Sequence, residues 1–278
     1  MTVGILGLGL IGGSIAKAYR GCGGWKILAW DIDGTLLDFC RLSGLVDDTL
    51  TDDSAGECDL VILATFPRAS IDYLEHIAPL VKKGAYVIDC LGVKREICSR
   101  GFELAEKYGF TFVGGHPMAG SHNSGFKFSR ADLYAGSHMI VCPPRFDDME
   151  LLERVSELLS PLQFGKLTVT TADKHDEMIA FTSQLTHMIS SAYVKRPNAS
   201  EHRDYAAGSY RDMSRVAWLN PEMWTELFLE NRDKLINEMD IFIGHIMEYR
   251  DALEKGDRDK MRRLLEDGRR RKSEIDAK

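Results

Sequence analysis

Near its start the chain reads Gly7-Leu8-Gly9-Leu10-Ile11-Gly12, three glycines at the spacing of a turn that carries phosphate onto a helix N-terminus. Gly7 permits the tight turn, Gly9 lets a pyrophosphate approach the backbone, and Gly12 lets the following helix pack against the preceding strand. That helix then offers free N–H groups and a favourable dipole to the anion. Asp31 follows 19 residues after Gly12, where a carboxylate can bind adenosine ribose hydroxyls and repel a 2′-phosphate. No arginine follows it directly, so NAD is expected rather than NADP. The expected cofactor contacts are Gly7, Gly9, Leu10, Ile11, Gly12, Asp31, Ala64 and Thr65.

A rival chemistry shares this stretch. Asp31-Ile32-Asp33-Gly34-Thr35 matches the loop of haloacid-dehalogenase-type phosphatases, whose first Asp is a nucleophile and second an acid/base. Such an enzyme also needs a Mg²⁺ site completed by a later acidic pair. The nearest, Asp257 and Asp259, lies in the helical part, and a complete glycine fingerprint precedes the loop. Dinucleotide binding is therefore the preferred reading.

Two further groups of residues could do chemistry. His116 sits in Gly114-Gly115-His116-Pro117-Met118-Ala119-Gly120 after a short strand, at the sheet edge where ligands collect. It is either a reacting base or a loop imidazole bonded to backbone. Ser183 and His187, four apart, share a helix face. Asp212 and Arg215 are three apart on another helix, and Trp224 begins a third. A guanidinium among Met213, Val216, Ala217 and Trp218 requires an anion, supplied by Asp212 or by a substrate carboxylate. No histidine has metal-ligand spacing with acids or cysteines, so no metal is expected.

The elements that must position these groups follow from hydrophobic periodicity. Strand patterns occupy residues 3–8, 26–30, 60–65, 86–90, 111–113, 139–142 and 167–170. Helical patterns fall between them at 12–20, 36–43, 71–81, 95–108 and 149–160, an alternation that predicts a doubly wound, mostly parallel α/β sheet. From residue 172 onward the pattern is helical only. Asn220-Pro221 opens a predicted helix of about 35 residues whose stripe runs through Phe228, Leu235, Met239, Phe242, Ile246, Tyr249 and Leu253. Such a stripe suits packing against the helices of a second subunit. The expected domains are residues 1–172 and 173–278.

Bulk properties narrow the class. The 278 residues carry a net charge of −7 and both parts are acidic, which disfavours nucleic acid as a partner. Six scattered cysteines, several within apolar runs, read as reduced thiols. With no basic leader and no apolar stretch of membrane-spanning length, a cytoplasmic protein is expected, without membrane contact.

Over essentially its whole length the chain resembles the prephenate/arogenate dehydrogenase family. The matching segments are Gly7 to Ser14, His116-Pro117-Met118-Ala119-Gly120, Gln184-Leu185-Thr186-His187 and Tyr210-Arg211-Asp212-Met213-Ser214-Arg215-Val216-Ala217. The resemblance implies a Rossmann domain, then a helical dimerisation domain, and NAD-dependent oxidative decarboxylation of prephenate in tyrosine biosynthesis, or of arogenate. It places the catalytic histidine on His116, a substrate-binding histidine on His187 and the carboxylate-binding arginine on Arg215. Ser183, Asp212, Trp224 and Ser121 would complete the substrate pocket. Two positions depart from the family pattern: Leu91-Gly92-Val93-Lys94 has glycine where a serine often assists the histidine, and His122 stands where an acidic residue is frequent. Among other Rossmann-type dehydrogenases, a β-hydroxyacid enzyme would need a Lys-x-x-x-Asn helix, but Lys174 is followed by Met178. An NAD-sensing protein without catalysis would not need His116 and Arg215 together.

Overall fold

The computed structural model describes residues 1–120, 123–197 and 205–277. Eight strands form one sheet: β1 Thr2–Leu6, β2 Lys26–Trp30, β3 Asp48–Thr49, β4 Leu60–Leu63, β5 Tyr86–Asp89, β6 Thr111–Pro117, β7 His138–Cys142 and β8 Lys166–Val169. Their order is β3-β2-β1-β4-β5-β6-β7-β8. Neighbours are parallel except at β6 and β7, where Gly114 to Pro117 run antiparallel to Met139 to Cys142. The order turns back on itself at β1, and the crevice at such a reversal is where open α/β sheets take ligands.

Apolar runs such as Leu60-Val61-Ile62-Leu63 are buried throughout because helices cover both faces. One face carries the helices Leu10–Cys22 and Met149–Leu159 over Ile5, Ile27, Ile62 and Val113. The other carries Pro67–Ile77 and Arg95–Tyr108 over Leu28, Val61, Val87 and Phe112. All six cysteines are free, and all but Cys22 are buried or partly buried.

The doubly wound sheet stands as the periodicity predicts, with three corrections, the first being the two-residue edge strand β3, which the predicted set lacks. β6 does not end at residue 113 but continues through Pro117, so His116 is a strand residue paired with Ile140 and not part of a loop. The glycines that read as a loop are instead demanded by packing: a Cβ at Gly114 would lie 2.4 Å from Cys98 Sγ, and one at Gly115 2.3 Å from the Asp89 carbonyl. The predicted helix of about 35 residues is also two helices, Pro221–Glu230 and Arg232–Glu254, broken at Asn231. Asn231 is fully buried, and its side chain donates to the carbonyl of Asp176 and to Gln184 Oε1, both at 2.8 Å.

Residues 1–231 form one compact unit, with the helical segments Ala172–Ile179, Thr186–Tyr193, Gly208–Ser214 and Pro221–Glu230 following β8. A π-helical stretch, Ala180–Leu185, joins the first two. The second unit, Arg232–Lys278, is a helical hairpin of Arg232–Glu254 and Arg258–Asp276. Gly256 makes its turn at φ 60°, Asp257 caps the second helix, and Lys260 pairs with Asp251 at 2.6 Å. Ile236, Ile241, Ile243, Ile246, Met247 and Leu253 of this hairpin are exposed. Among the described residues no helix is long and apolar enough to cross a membrane.

Candidate active site

The turn after β1 is built to admit something against its backbone. Gly7 has φ +86° and donates its N–H to the Trp30 carbonyl at 2.7 Å. A Cβ there would meet the Ala64 carbonyl and Thr65 Cγ2, both at 2.7 Å, and one on Gly12 would overlap the Gly7 carbonyl at 1.8 Å. At Gly9 nothing lies within 4 Å of an added Cβ. The first and third glycines thus serve the fold, while the second leaves open space. Gly9 caps the helix Leu10–Cys22 without any side-chain bond to its first N–H groups, and that helix end suits a phosphate. Leu10 and Ile11 occupy its first turn, their carbonyls accepting from the Ser14 and Tyr134 hydroxyls at 2.7 and 2.9 Å.

Asp31 holds this loop in place. One carboxylate oxygen accepts from the Leu8 N–H at 2.6 Å and the other from the Asp33 N–H at 2.9 Å. Asp33 caps the next helix through the N–H groups of Thr35 and Leu36 at 3.0 and 3.1 Å. The acid pair of the phosphatase-like motif is therefore engaged in loop and cap geometry. Ala64 and Thr65 follow β4; the Ala64 carbonyl backs Gly7, and Thr65 Oγ1 lies 2.7 Å from Ser70 Oγ. The open Gly9, the uncapped first turn and the nearby carboxylate together fit a dinucleotide. Among the described residues no cluster of three or more His, Cys, Asp or Glu side chains is placed to hold a metal ion.

On the other side of β4 and β5, His116 is partly buried at the end of a hydrogen-bonded chain. Its Nδ1 lies 2.8 Å from His175 Nε2, and His175 Nδ1 lies 2.7 Å from Asp176 Oδ1. Asp176 also accepts from the backbone N–H groups of Lys94 and Arg95 at 2.7 and 2.9 Å, and from Arg95 Nε at 3.3 Å. Lys94 is buried and pairs with buried Asp89, which in turn accepts from the N–H groups of Leu91 and Gly115 at 2.9 and 3.1 Å.

Burial keeps these imidazoles neutral. Burial pushes His116 well below the ordinary histidine range, and neighbouring His175 and the Lys94 ammonium add to the shift. Burial also lowers His175, outweighing the bond to Asp176 that favours its charged form. For Asp176 burial acts upward, but the bonds from His175 and from the Arg95 and Lys94 N–H groups prevail and hold it below the usual carboxylate value.

A second group gathers in the helical segments. His187 Nδ1 donates to the Ser183 carbonyl at 2.8 Å within the π-helical turn, a deformation common at functional sites. The His187 ring stacks on Trp224 with centroids 4.3 Å apart, and Trp224 packs on Phe228. Ser183, His187 and Trp224 are thus brought together. Arg215 and Asp212 are not part of that group. Asp212 is exposed on the helix Gly208–Ser214, and Arg215 is exposed at its C-terminal cap. The apolar enclosure predicted for Arg215 is absent, because this short helix buries none of its residues. Among the described residues no ion pair joins Arg215 to Asp212. Ser121 and His122 lie outside the described residues.

Residues 15–166 match the family model "Prephenate dehydrogenase, nucleotide-binding domain", and residues 171–267 match "Prephenate dehydrogenase, dimerization domain". The chain belongs to the prephenate dehydrogenase family. It is 30% identical to a cyclohexadienyl dehydrogenase of Zymomonas mobilis, over 92% of this chain and 90% of that one. It is 29% identical to a prephenate dehydrogenase of Bacillus subtilis, over 95% of this chain and 73% of the relative. The crystal structure of Aquifex aeolicus prephenate dehydrogenase with hydroxyphenyl propionate and NAD+ superposes with a TM-score of 0.84 at 25% identity, covering 99% of this chain and 98% of that one. Synechocystis arogenate dehydrogenase gives 0.82 at 25% identity, covering 99% and 100%.

In this prephenate dehydrogenase family member, the residues that sequence reasoning missed are Asp89, Lys94, His175 and Asp176. Their signal was faint: an Asp and a Lys five apart around a strand end, and a His-Asp pair in the first helix after the sheet. They meet because β5 and β6 are neighbours and the helix Ala172–Ile179 brings Asp176 to the Lys94 and Arg95 N–H groups and His175 to His116. At position 92 a Cβ would lie 3.1 Å from Leu227 Cδ2, so a serine there needs that side chain to yield by a few tenths of an ångström.

Proposed function

We propose that this protein uses NAD to oxidise and decarboxylate prephenate to 4-hydroxyphenylpyruvate, a step of tyrosine biosynthesis. The observation that carries the reading is His116, on the same sheet as an open glycine loop and held at Nδ1 by buried His175, where burial favours its neutral form. Gly7, Gly9, Leu10, Ile11, Gly12, Ala64 and Thr65 would border the cofactor, and Asp31 would receive its ribose hydroxyls. When bound, NAD supplies the acceptor for the C4 hydride. His116 takes the proton of the C4 hydroxyl as that hydride departs, which a neutral imidazole can do near pH 7. Loss of the ring carboxylate as CO2 then aromatises the ring and makes the sequence irreversible. Arg215 would hold a substrate carboxylate by charge-assisted hydrogen bonds, with Ser183, His187, Trp224, Asp212 and Ser121 shaping the pocket.

This assignment divides the work between residues 1–172, which bind the nucleotide, and residues 173–278, which contribute substrate contacts and a homodimer through the C-terminal helices. The exposed isoleucines of the hairpin support the dimer. The proposed partners are substrate, cofactor and a second copy, and the proposed compartment is the cytoplasm. Arogenate is the second substrate reading, favoured by the likeness to the Synechocystis arogenate dehydrogenase. A β-hydroxyacid reading gains nothing here, since Lys174 is exposed and pairs with Glu177 at 2.6 Å. Steady-state turnover of prephenate and arogenate, each with NAD and NADP, tests the reading. The expected result is NADH and CO2 in equal amounts from prephenate; no NADH from either substrate would reject it.

A further inference from the structure

His116 has two ring nitrogens, and its place in the hydrogen-bonded chain decides which of them carries the proton. Asp176 is an ionised acceptor that cannot donate, so the 2.7 Å bond to it requires the proton on His175 Nδ1. A neutral His175 protonated at Nδ1 has its lone pair on Nε2. That lone pair faces His116 Nδ1 at 2.8 Å and requires the proton to sit there. The centroids of the two rings are 5.1 Å apart and their planes are inclined at 59°. His116 is left with a bare Nε2.

We propose that His175 and Asp176 are positioning residues that lock His116 in its Nδ1–H tautomer and so reserve Nε2 as the acceptor for the reacting hydroxyl. The inference rests on the reading that His116 is the base for the substrate hydroxyl. The lock is rigid because Asp176 is fixed by three donors besides His175: the Lys94 and Arg95 N–H groups and Arg95 Nε. Its own backbone carbonyl is held by buried Asn231, which also binds Arg95 Nη2 at 3.2 Å. The charged groups bearing on the chain are Asp176, Arg95, Lys94 and its partner Asp89, together with Glu230, which interacts with Asp176 and Lys94. When Nε2 takes the hydroxyl proton, His116 becomes an imidazolium that still donates through Nδ1 to His175. Its charge then lies two hydrogen bonds from the Asp176 carboxylate, while the Lys94 ammonium disfavours it. Neutral His116 is therefore favoured at rest, and the protonated form is supported only along this one line.

The test reads the tautomer directly. In protein labelled with 15N at histidine, the His116 signals are assigned by their loss in His116→Gln. The wild-type protein should show a protonated Nδ1 and a bare Nε2 at neutral pH, a result that needs no substitution in the lock. His175→Leu should move His116 toward the Nε2–H form and lower kcat about 10²-fold or more, the range of a general base lost. NAD affinity should stay within about threefold, since His175 lies outside the glycine loop. His175→Gln, whose amide oxygen can accept from Nδ1–H, should restore most of both signals. A wild-type His116 protonated at Nε2, or a folded His175→Leu with unchanged tautomer and kcat, overturns the lock. A wild-type protein with the Nδ1–H spectrum but no turnover of prephenate supports the lock and rejects the assigned reaction instead.

Discussion

Replacing Gly9 by alanine should weaken NAD binding by about 10²–10⁴-fold while leaving the unliganded protein about as stable as the parent. Position 9 has φ −66° and extended geometry, which an alanine can adopt, and an added Cβ meets nothing within 4 Å. The smaller entropy of the unfolded chain favours the variant by about 0.4–1 kcal/mol. Alanine is a poorer helix cap than glycine by roughly 1 kcal/mol, so the two effects nearly cancel. Binding is different, because on the proposed assignment the same open space is where a pyrophosphate would come against the N–H groups of Leu10, Ile11 and Gly12. A methyl group there holds the phosphates off and breaks two charge-assisted hydrogen bonds of about 1.5–3 kcal/mol each. The loss of about 3–6 kcal/mol corresponds to the stated factor, at roughly 1.4 kcal/mol per tenfold. Gly12→Ala is the contrast: its Cβ would lie 1.8 Å from the Gly7 carbonyl, so it should destabilise the free protein as well. Calorimetric titration with NAD and thermal unfolding without it separate the two. NAD affinity within threefold of the parent for Gly9→Ala would refute this account of the loop.

Three further outcomes follow from the same structure. Asp31→Ser should weaken NAD and narrow the preference over NADP; equal use of both cofactors by the parent enzyme would remove Asp31 from that role. It should also loosen the loop, since the Leu8 N–H loses its partner. Sedimentation at micromolar concentration should show a dimer, and Ile243→Asp or Ile246→Asp should shift it toward monomer; a stable, active monomer would contradict the proposed interface. A Glu230→Gln variant should lose thermal stability as pH drops from about 7.5 to 5. His116 and His175 sit below the unfolded histidine value near 6.5, so their contributions are complete at higher pH and decline as protons are taken up. Asp176 adds its loss only below about pH 5, and Glu230, which burial raises to about 7, works in the opposite sense and is removed in this variant. A melting temperature that is flat or rising in that variant would mean the imidazoles are not buried as neutral groups.

What was legible in the sequence was local. Each glycine of the first turn has its reason within a few residues or one strand away, and the buried runs of β1, β2, β4 and β5 announce themselves by composition. What was not legible depends on pairing across the chain. Gly114-Gly115-His116-Pro117 reads as a loop because its strand character comes from β7 and its glycines from Cys98 and Asp89. His175 and Asp176 look like ordinary polar residues of a helix N-terminal half until β6 places His116 against them. The break at Asn231 is invisible to periodicity, since an asparagine fits a helical stripe; its buried bonds to Asp176 and Gln184 are what stop the helix. For Arg215 the misleading signal was apolar neighbours in sequence, which a seven-residue helix with no buried face does not enclose.

The central claim is that His116 takes the proton of the reacting hydroxyl while Arg215 holds a remote anionic group. The kinetic constants of His116→Ala and Arg215→Ala with prephenate and NAD, measured beside NAD affinity, test it most directly. His116→Ala should lower kcat by about 10²–10⁴-fold, and Arg215→Ala should raise KM severalfold or more with a smaller change in kcat, because uniform binding is what it removes. Near-normal kcat in His116→Ala, or an unchanged KM in Arg215→Ala together with lost NAD binding, would contradict the assignment.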